Sequence, residues 1–140
     1  MDQQSHKLTT LLMWKDEPII KAITGEPGTG KTTLLADFRN YLISSGVNDD
    51  HIVAMNFGSV KLLPSYHTLY SSIKGRLNPC DTTYILLDEV QLVSGFEKVL
   101  ASLLTKPNVD IYIAGSRAQL LGGPDATLLS GRYVEIRMET

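Results

Sequence analysis

The segment Gly25-Glu26-Pro27-Gly28-Thr29-Gly30-Lys31-Thr32 sets glycines, a lysine and a hydroxyl where a backbone could wrap a phosphate group. It meets the phosphate-loop pattern at every fixed position. The residue types explain the pattern. Glycines let the chain curl until successive N–H groups point inward at phosphate oxygens, and the positive end of a following helix adds to the attraction. The Lys31 ammonium can reach β- and γ-phosphates, and the Thr32 hydroxyl can ligate Mg²⁺. The expected nucleotide-binding residues are therefore Gly25, Glu26, Pro27, Gly28, Thr29, Gly30, Lys31, Thr32 and Thr33.

A second group of residues has complementary chemistry. Tyr84-Ile85-Leu86-Leu87 reads as a buried strand and ends on two acids, Asp88 and Glu89. Carboxylates at the carboxyl end of such a strand face the ligand crevice of open α/β folds. There Asp88 would hold Mg²⁺, and Glu89 would act as general base on an attacking water.

Apolar periodicity supplies the elements that must position these groups. Leu8, Leu11 and Leu12, with Trp14 behind them, predict a leading helix closed by the polar turn 15–18. A strand over 19–24 runs straight into the glycine loop. After the loop, Leu34, Leu35, Phe38, Tyr41 and Leu42 share a helix face, and Gly46 marks its end. The apolar run 52–57 reads as a buried strand, and Tyr66, Leu69, Tyr70, Ile73 and Leu77 recur at helical spacing. Ser94 and Glu97 read as a capping box for a helix with Phe96, Val99, Leu100, Leu103 and Leu104 inward. A fourth strand over 109–114 and an alternating fifth over 133–138 complete the set, and Gly122-Gly123-Pro124 reads as a turn. Strands alternating with helices, joined by connections long enough for right-handed crossovers, predict an α/β domain with a mainly parallel five-stranded sheet.

Composition narrows the possibilities. A chain of 140 residues with 43% hydrophobic residues suits one compact domain, expected to span 1–140. A formal charge of −2 argues against binding nucleic acid by bulk electrostatics. The single cysteine, Cys80, cannot form an internal disulfide, and His6, His51 and His67 show no metal-site spacing. Neither a signal-peptide pattern nor an apolar stretch of membrane-spanning length is present, so a cytoplasmic location and no membrane partner are expected.

With these residues in view, the loop, the Asp88-Glu89 strand and the run Ile113-Ala114-Gly115-Ser116 resemble AAA-like phosphate-loop ATPases that carry a catalytic glutamate. More narrowly, three stretches are similar to one prokaryotic family that joins such an ATPase domain to a C-terminal domain of unknown function. They are Leu87-Asp88-Glu89-Val90-Gln91, Gly115-Ser116-Arg117 with Leu120-Leu121, and Leu129-Ser130-Gly131-Arg132-Tyr133-Val134-Glu135-Ile136. The resemblance runs from Leu8 to Met138. It implies a three-layer α/β/α fold of the RecA/AAA-like kind, with ATP and Mg²⁺ as ligands. It also implies that Ser116 is a polar sensor of the attacking water or γ-phosphate, and that Arg132 senses the γ-phosphate within the chain or from a neighbouring subunit. The fifth strand should lie beside the loop-bearing strand, which is expected to bring the Arg132 backbone to the nucleotide edge. Arg117 and Gln91 rank below these.

Glu26-Pro27 stands where that family often has two arginines, and the sequence stops at Thr140 where the family continues. The chain accordingly reads as the N-terminal ATPase part of a longer protein. Its expected partner is the C-terminal domain, with nucleic acid reached only through that domain and oligomerisation open. A guanine-specific Asn-Lys-x-Asp element and the arginine-rich lid of nucleotide kinases are both missing, which disfavours a GTPase or small-molecule kinase. A nucleotide-gated switch with negligible turnover is the alternative of a different class.

Overall fold

A computed structural model describes residues 3–139. Its centre is one five-stranded sheet in the order β2-β3-β4-β1-β5. The strands are β1 (Ile20–Thr24), β2 (Ile52–Asn56), β3 (Thr83–Asp88), β4 (Val109–Gly115) and β5 (Tyr133–Arg137). All four pairings are parallel. The helices are α1 (Gln3–Met13), α2 (Lys31–Ser44), α3 (Tyr66–Lys74), α4 (Phe96–Leu103) and α5 (Arg117–Leu121). The α/β architecture expected from the periodicity is present.

A parallel sheet needs both faces covered, and the side-chain alternation of the strands supplies two apolar faces. Ile20, Ala22, Val53, Ile85, Leu87, Ile111 and Ile113 join Leu69, Ile73, Val99, Leu100 and Leu103 in one core, under α3 and α4. Ile23, Ile52, Tyr84, Leu86, Tyr112, Ala114 and Ile136 join Leu11, Leu34, Phe38 and Leu42 in the other, under α1 and α2. β1 and β3 are buried along their whole length. Leu11 is the fully buried residue of α1, with Leu8 and Leu12 packed beside it. The run at 52–57, expected to be a buried strand, is an edge strand whose Ala54 and Asn56 are exposed.

The chain leaves β1 through α2 on one face, and leaves β4 toward α5 on the other. These two strands are neighbours, so a crevice opens between their carboxyl ends, where ligands of open parallel sheets bind.

The opposite, amino edge is tied by buried charge. Lys21 and Asp110, both essentially inaccessible, form an ion pair of 2.5 Å. Every oxygen of Asp110 is used, because the Tyr112 hydroxyl donates to it at 2.6 Å and the Asp16 N–H at 2.9 Å. Asp16 in turn accepts from the Tyr84 hydroxyl at 2.8 Å. Burial, followed by the Asp110 charge, pushes the Tyr112 hydroxyl far above its ordinary pKa, so it stays a donor. No apolar-pattern argument predicts this network.

One helix start differs from expectation. Ser94 and Glu97 form no capping box, since the N-cap of α4 is Gly95, at φ 81°, with no side-chain cap bond. Tyr66 packs so closely there that a Cβ on Gly95 would lie 2.7 Å from its ring. Tertiary packing thus selects a glycine cap, and Glu97 is buried instead. A side-chain cap does form at Ser65, which accepts from the Thr68 N–H at 3.2 Å and starts α3.

Asp110→Ala would leave the buried Lys21 ammonium without its counter-charge, with only the Glu17 carbonyl to accept from it at 2.6 Å, which costs about 3–5 kcal/mol. Equilibrium urea unfolding should show a loss of that size, with far-UV circular dichroism of the folded state unchanged.

Candidate functional site

The phosphate loop joins the end of β1 to the start of α2. Gly28 at φ 84° and Gly30 at φ 96° occupy left-handed backbone that disfavours side chains, and Gly30 is the N-cap of α2. The first-turn N–H groups of a helix have no partner within the helix, so those at the head of α2 remain available to an anion. The buried Lys31 ammonium spans the loop and donates to the carbonyls of Gly25 at 2.8 Å and Glu26 at 3.1 Å. Thr29 closes the bend by donating its hydroxyl to the Glu26 carbonyl at 2.7 Å.

The loop and the acids meet. The Thr32 hydroxyl donates to Asp88 Oδ2 at 2.6 Å, bridging 56 positions of sequence. Asp88 is buried, and its Oδ1 has no hydrogen-bond partner. Burial pushes the Asp88 carboxyl above its ordinary pKa; the Glu89 charge adds to this, and the bond from Thr32 opposes it. A carboxylate oxygen without a donor, next to a hydroxyl and below a phosphate cradle, is a donor set that fits Mg²⁺, which takes few protein ligands and completes its shell with phosphates and water. Among the described residues no three or more acidic, histidine or cysteine side chains are grouped so as to hold a metal ion.

Glu89 leaves the strand at φ 56°, left-handed backbone for a non-glycine residue and a local strain of order 1–3 kcal/mol. Its N–H donates to the Ala114 carbonyl at 2.7 Å, which holds the kink. The kink separates the two acids: Asp88 stays in β3, while Glu89 lines a cavity of about 400 Å³ with Pro27, Gly28, Gly30, Lys31, Thr32 and Thr33. Its Oε2 accepts from the Gln91 amide at 2.6 Å.

Ser116 follows Gly115, which is paired with Thr24, so it stands on the same edge as the loop. It heads α5 without capping it, and its hydroxyl donates to Gln119 Oε1 at 3.1 Å. Arg132 requires correction. Its carbonyl accepts from the Ile20 N–H at the start of β1, whereas the phosphate loop follows the end of β1. β5 is parallel to β1, so the residue leading into it sits at the amino edge, across the sheet from the cradle. Being beside the loop-bearing strand does not put it near the loop, and Arg132 cannot serve its own chain's site.

Other arginines occupy the loop's flank. Arg137 pairs in register with Thr24, and with Arg117, Gly25, Glu26 and Thr29 it lines a cavity of about 340 Å³. Arg117 Nε donates to Glu135 Oε2 at 2.8 Å, the same oxygen that accepts from the Thr24 hydroxyl at 2.7 Å. Arg137 carried no sequence signal of its own; aligning the fifth strand in parallel with the first would have found it.

A parallel sheet of this order, with a glycine loop and a strand-end carboxylate joined at its carboxyl edge, defines a phosphate-loop domain of the AAA-like class. Residues 17–140 match the AAA domain family, and the chain belongs to it. It is similar to an uncharacterized protein of Haemophilus influenzae, with 37% identity over 141 residues, covering 99% of this chain and 35% of that protein. The chain thus spans about a third of that relative's length. Among solved structures it is similar to a DNA polymerase III gamma subunit-related protein of Thermotoga maritima, with TM-score 0.70, 14% identity, and 96% and 46% of the two chains covered. Cdc6p of Pyrobaculum aerophilum is also similar, with TM-score 0.67, 14% identity, and 97% and 45% covered. No helix among the described residues is long and apolar enough to cross a membrane.

In the phosphate-binding role expected of it, Lys31 would supply a charge-assisted contact worth about 1.5–3 kcal/mol, which Lys31→Ala would remove. ATP affinity, read by titration calorimetry, should fall roughly ten- to a hundredfold. An unchanged affinity would contradict the site.

Proposed function

We propose that this chain binds ATP with Mg²⁺ and hydrolyses its γ-phosphate, as a module that drives a further part of the same protein. The observation that carries this reading is the Thr32–Asp88 hydrogen bond, which joins the phosphate loop to the acidic strand end beneath a cradle walled by Glu89. Loop N–H groups and Lys31 hold the phosphates; Lys31 would exchange its two carbonyl partners for phosphate oxygens. Bound at Thr32 and Asp88, Mg²⁺ would supply charge neutralisation on the β- and γ-phosphates. Glu89 takes the proton of an attacking water as the new oxygen–phosphorus bond forms and the bond to the β-phosphate breaks, releasing ADP. Ser116 orients the water or the γ-phosphate from the neighbouring strand end.

Arg132 then acts on a neighbouring chain's site. It is exposed at the amino edge, and Gly131 before it takes φ 74°, which frees the turn to present the side chain outward. That position favours slow turnover in a lone domain, close to a nucleotide-gated switch, with faster turnover in an assembly of the intact protein. The relative's greater length supports a further domain as the recipient of the work.

Glu89→Gln keeps shape while removing the base. Phosphate release should fall by about 10²–10⁴ with ATP binding retained, and a variant as fast as the parent would exclude Glu89 as base. Asp88→Asn should weaken binding in Mg²⁺ and leave binding in EDTA nearly unchanged, as calorimetry in the two buffers would show.

Arg132→Ala in the intact protein should lower turnover, by up to about 10³–10⁵ if it supplies the transition-state cation, without loss of ATP affinity. Mixing it with Glu89→Gln protein should restore activity, because each chain then offers what the other lacks. Absence of rescue would return Arg132 to a structural role.

A further inference from the structure

Gln91 lies two residues past the general base, in the 3₁₀ turn Val90–Leu92 that follows the Glu89 kink. Its side-chain amide donates to Glu89 Oε2 at 2.6 Å. Only the amide nitrogen can face a carboxylate, so the amide has one orientation. Its oxygen then points away, is buried, and has no hydrogen-bond partner. A buried amide oxygen without a donor destabilises a fold, and an apolar residue here would avoid the penalty. The compensating contact is the one to Glu89.

The far side of the same amide meets β4. A Cβ built on Gly115 would overlap Gln91 Oε1 and lie 2.8 Å from its Cδ. These are impossible separations for an alanine in the present arrangement. Gly115 is not among the positive-φ residues, so its backbone does not demand glycine. The space does.

We propose that Gln91 is a positioning residue for the general base: its amide holds the Glu89 carboxylate on the wall of the phosphate cradle, and Gly115 has no side chain because that amide occupies the space. The proposal rests on the hydrolytic reading above. A carboxylate has room for several donors, so the bond to Oε2 leaves Glu89 Oε1 free to take a proton from water. Without Gln91, the strained residue keeps its backbone bond to Ala114 while its carboxylate gains rotamers that point away from the nucleotide.

Single-turnover hydrolysis of labelled ATP tests this, with nucleotide affinity and melting temperature measured on the same samples. Gln91→Ala should slow the chemical step about ten- to a hundredfold, the range for a hydrogen bond to a charged group, with ATP affinity unchanged within about twofold. Gln91→Glu, which keeps the length but cannot donate when ionised, should not rescue. In the Glu89→Gln background, Gln91→Ala should cause no further slowing, since the group it positions no longer acts. Gly115→Ala should reproduce the Gln91→Ala defect and add nothing to it in the double variant. Gln91→Ala hydrolysing at the parental rate, or slowing the Glu89→Gln protein as much as the parent, would overturn the proposal. A parent without turnover, or a Glu89→Gln variant as fast as the parent, would instead overturn the hydrolytic reading and this role with it.

Discussion

All strands of the sheet run in one direction, and this constraint decides which residues can work together. It places the carboxyl ends of β1, β3, β4 and β5 along one edge, and with them the phosphate loop, Asp88-Glu89, Gly115-Ser116 and Arg137. It places the residues that precede strands along the other edge, among them Asp16 and Arg132. Because β1 and β4 send their crossovers to opposite faces, the crevice between them stays open above the first edge. Chemistry gathers there because the topology leaves it uncovered.

The two edges treat buried charge differently. At the amino edge, Asp110 has both oxygens satisfied by Lys21, Tyr112 and the Asp16 N–H. A closed network of this kind fixes structure and has nothing left to offer a ligand. At the carboxyl edge, Asp88 has one oxygen bound by Thr32 and one without a partner. Burial pushes its carboxyl above the ordinary range. That incomplete shell is what separates Asp88 from Asp110 and fits it to the proposed cation-binding role.

Strain and packing then send two adjacent carboxylates to two different positions. The left-handed backbone at Glu89 turns it out of β3 toward the cradle, while Asp88 keeps its strand position beside Asn56 and Ala114. The kink is held by the Ala114 carbonyl, and the side chain by Gln91, which itself rests on Gly115. Ala114 through its carbonyl and Gly115 through its missing side chain therefore shape the surroundings of Glu89, though the chain reaches them well after the acids.

The sequence by itself determined the loop, the acids and the five strands. Each depends on neighbours close along the chain: glycine spacing for the loop, two-residue alternation for the strands, and the strand-to-acid junction for Asp88-Glu89. Local rules also placed the leading helix and the stop at Gly46. They were insufficient where the deciding contact comes from elsewhere. Ser94 and Glu97 satisfy the spacing of a capping box, yet Tyr66, about thirty positions earlier, imposes a glycine at position 95. The run at 52–57 is as apolar as a central strand and lies at the edge, because strand order is set by crossovers and not by hydrophobicity. Arg132 and Arg137 bracket the same short strand, and only the parallel register with β1 reveals that Arg137 lies beside the loop and Arg132 at the opposite edge. Register between segments separated by about a hundred positions is a property of the packed sheet; no local spacing encodes it.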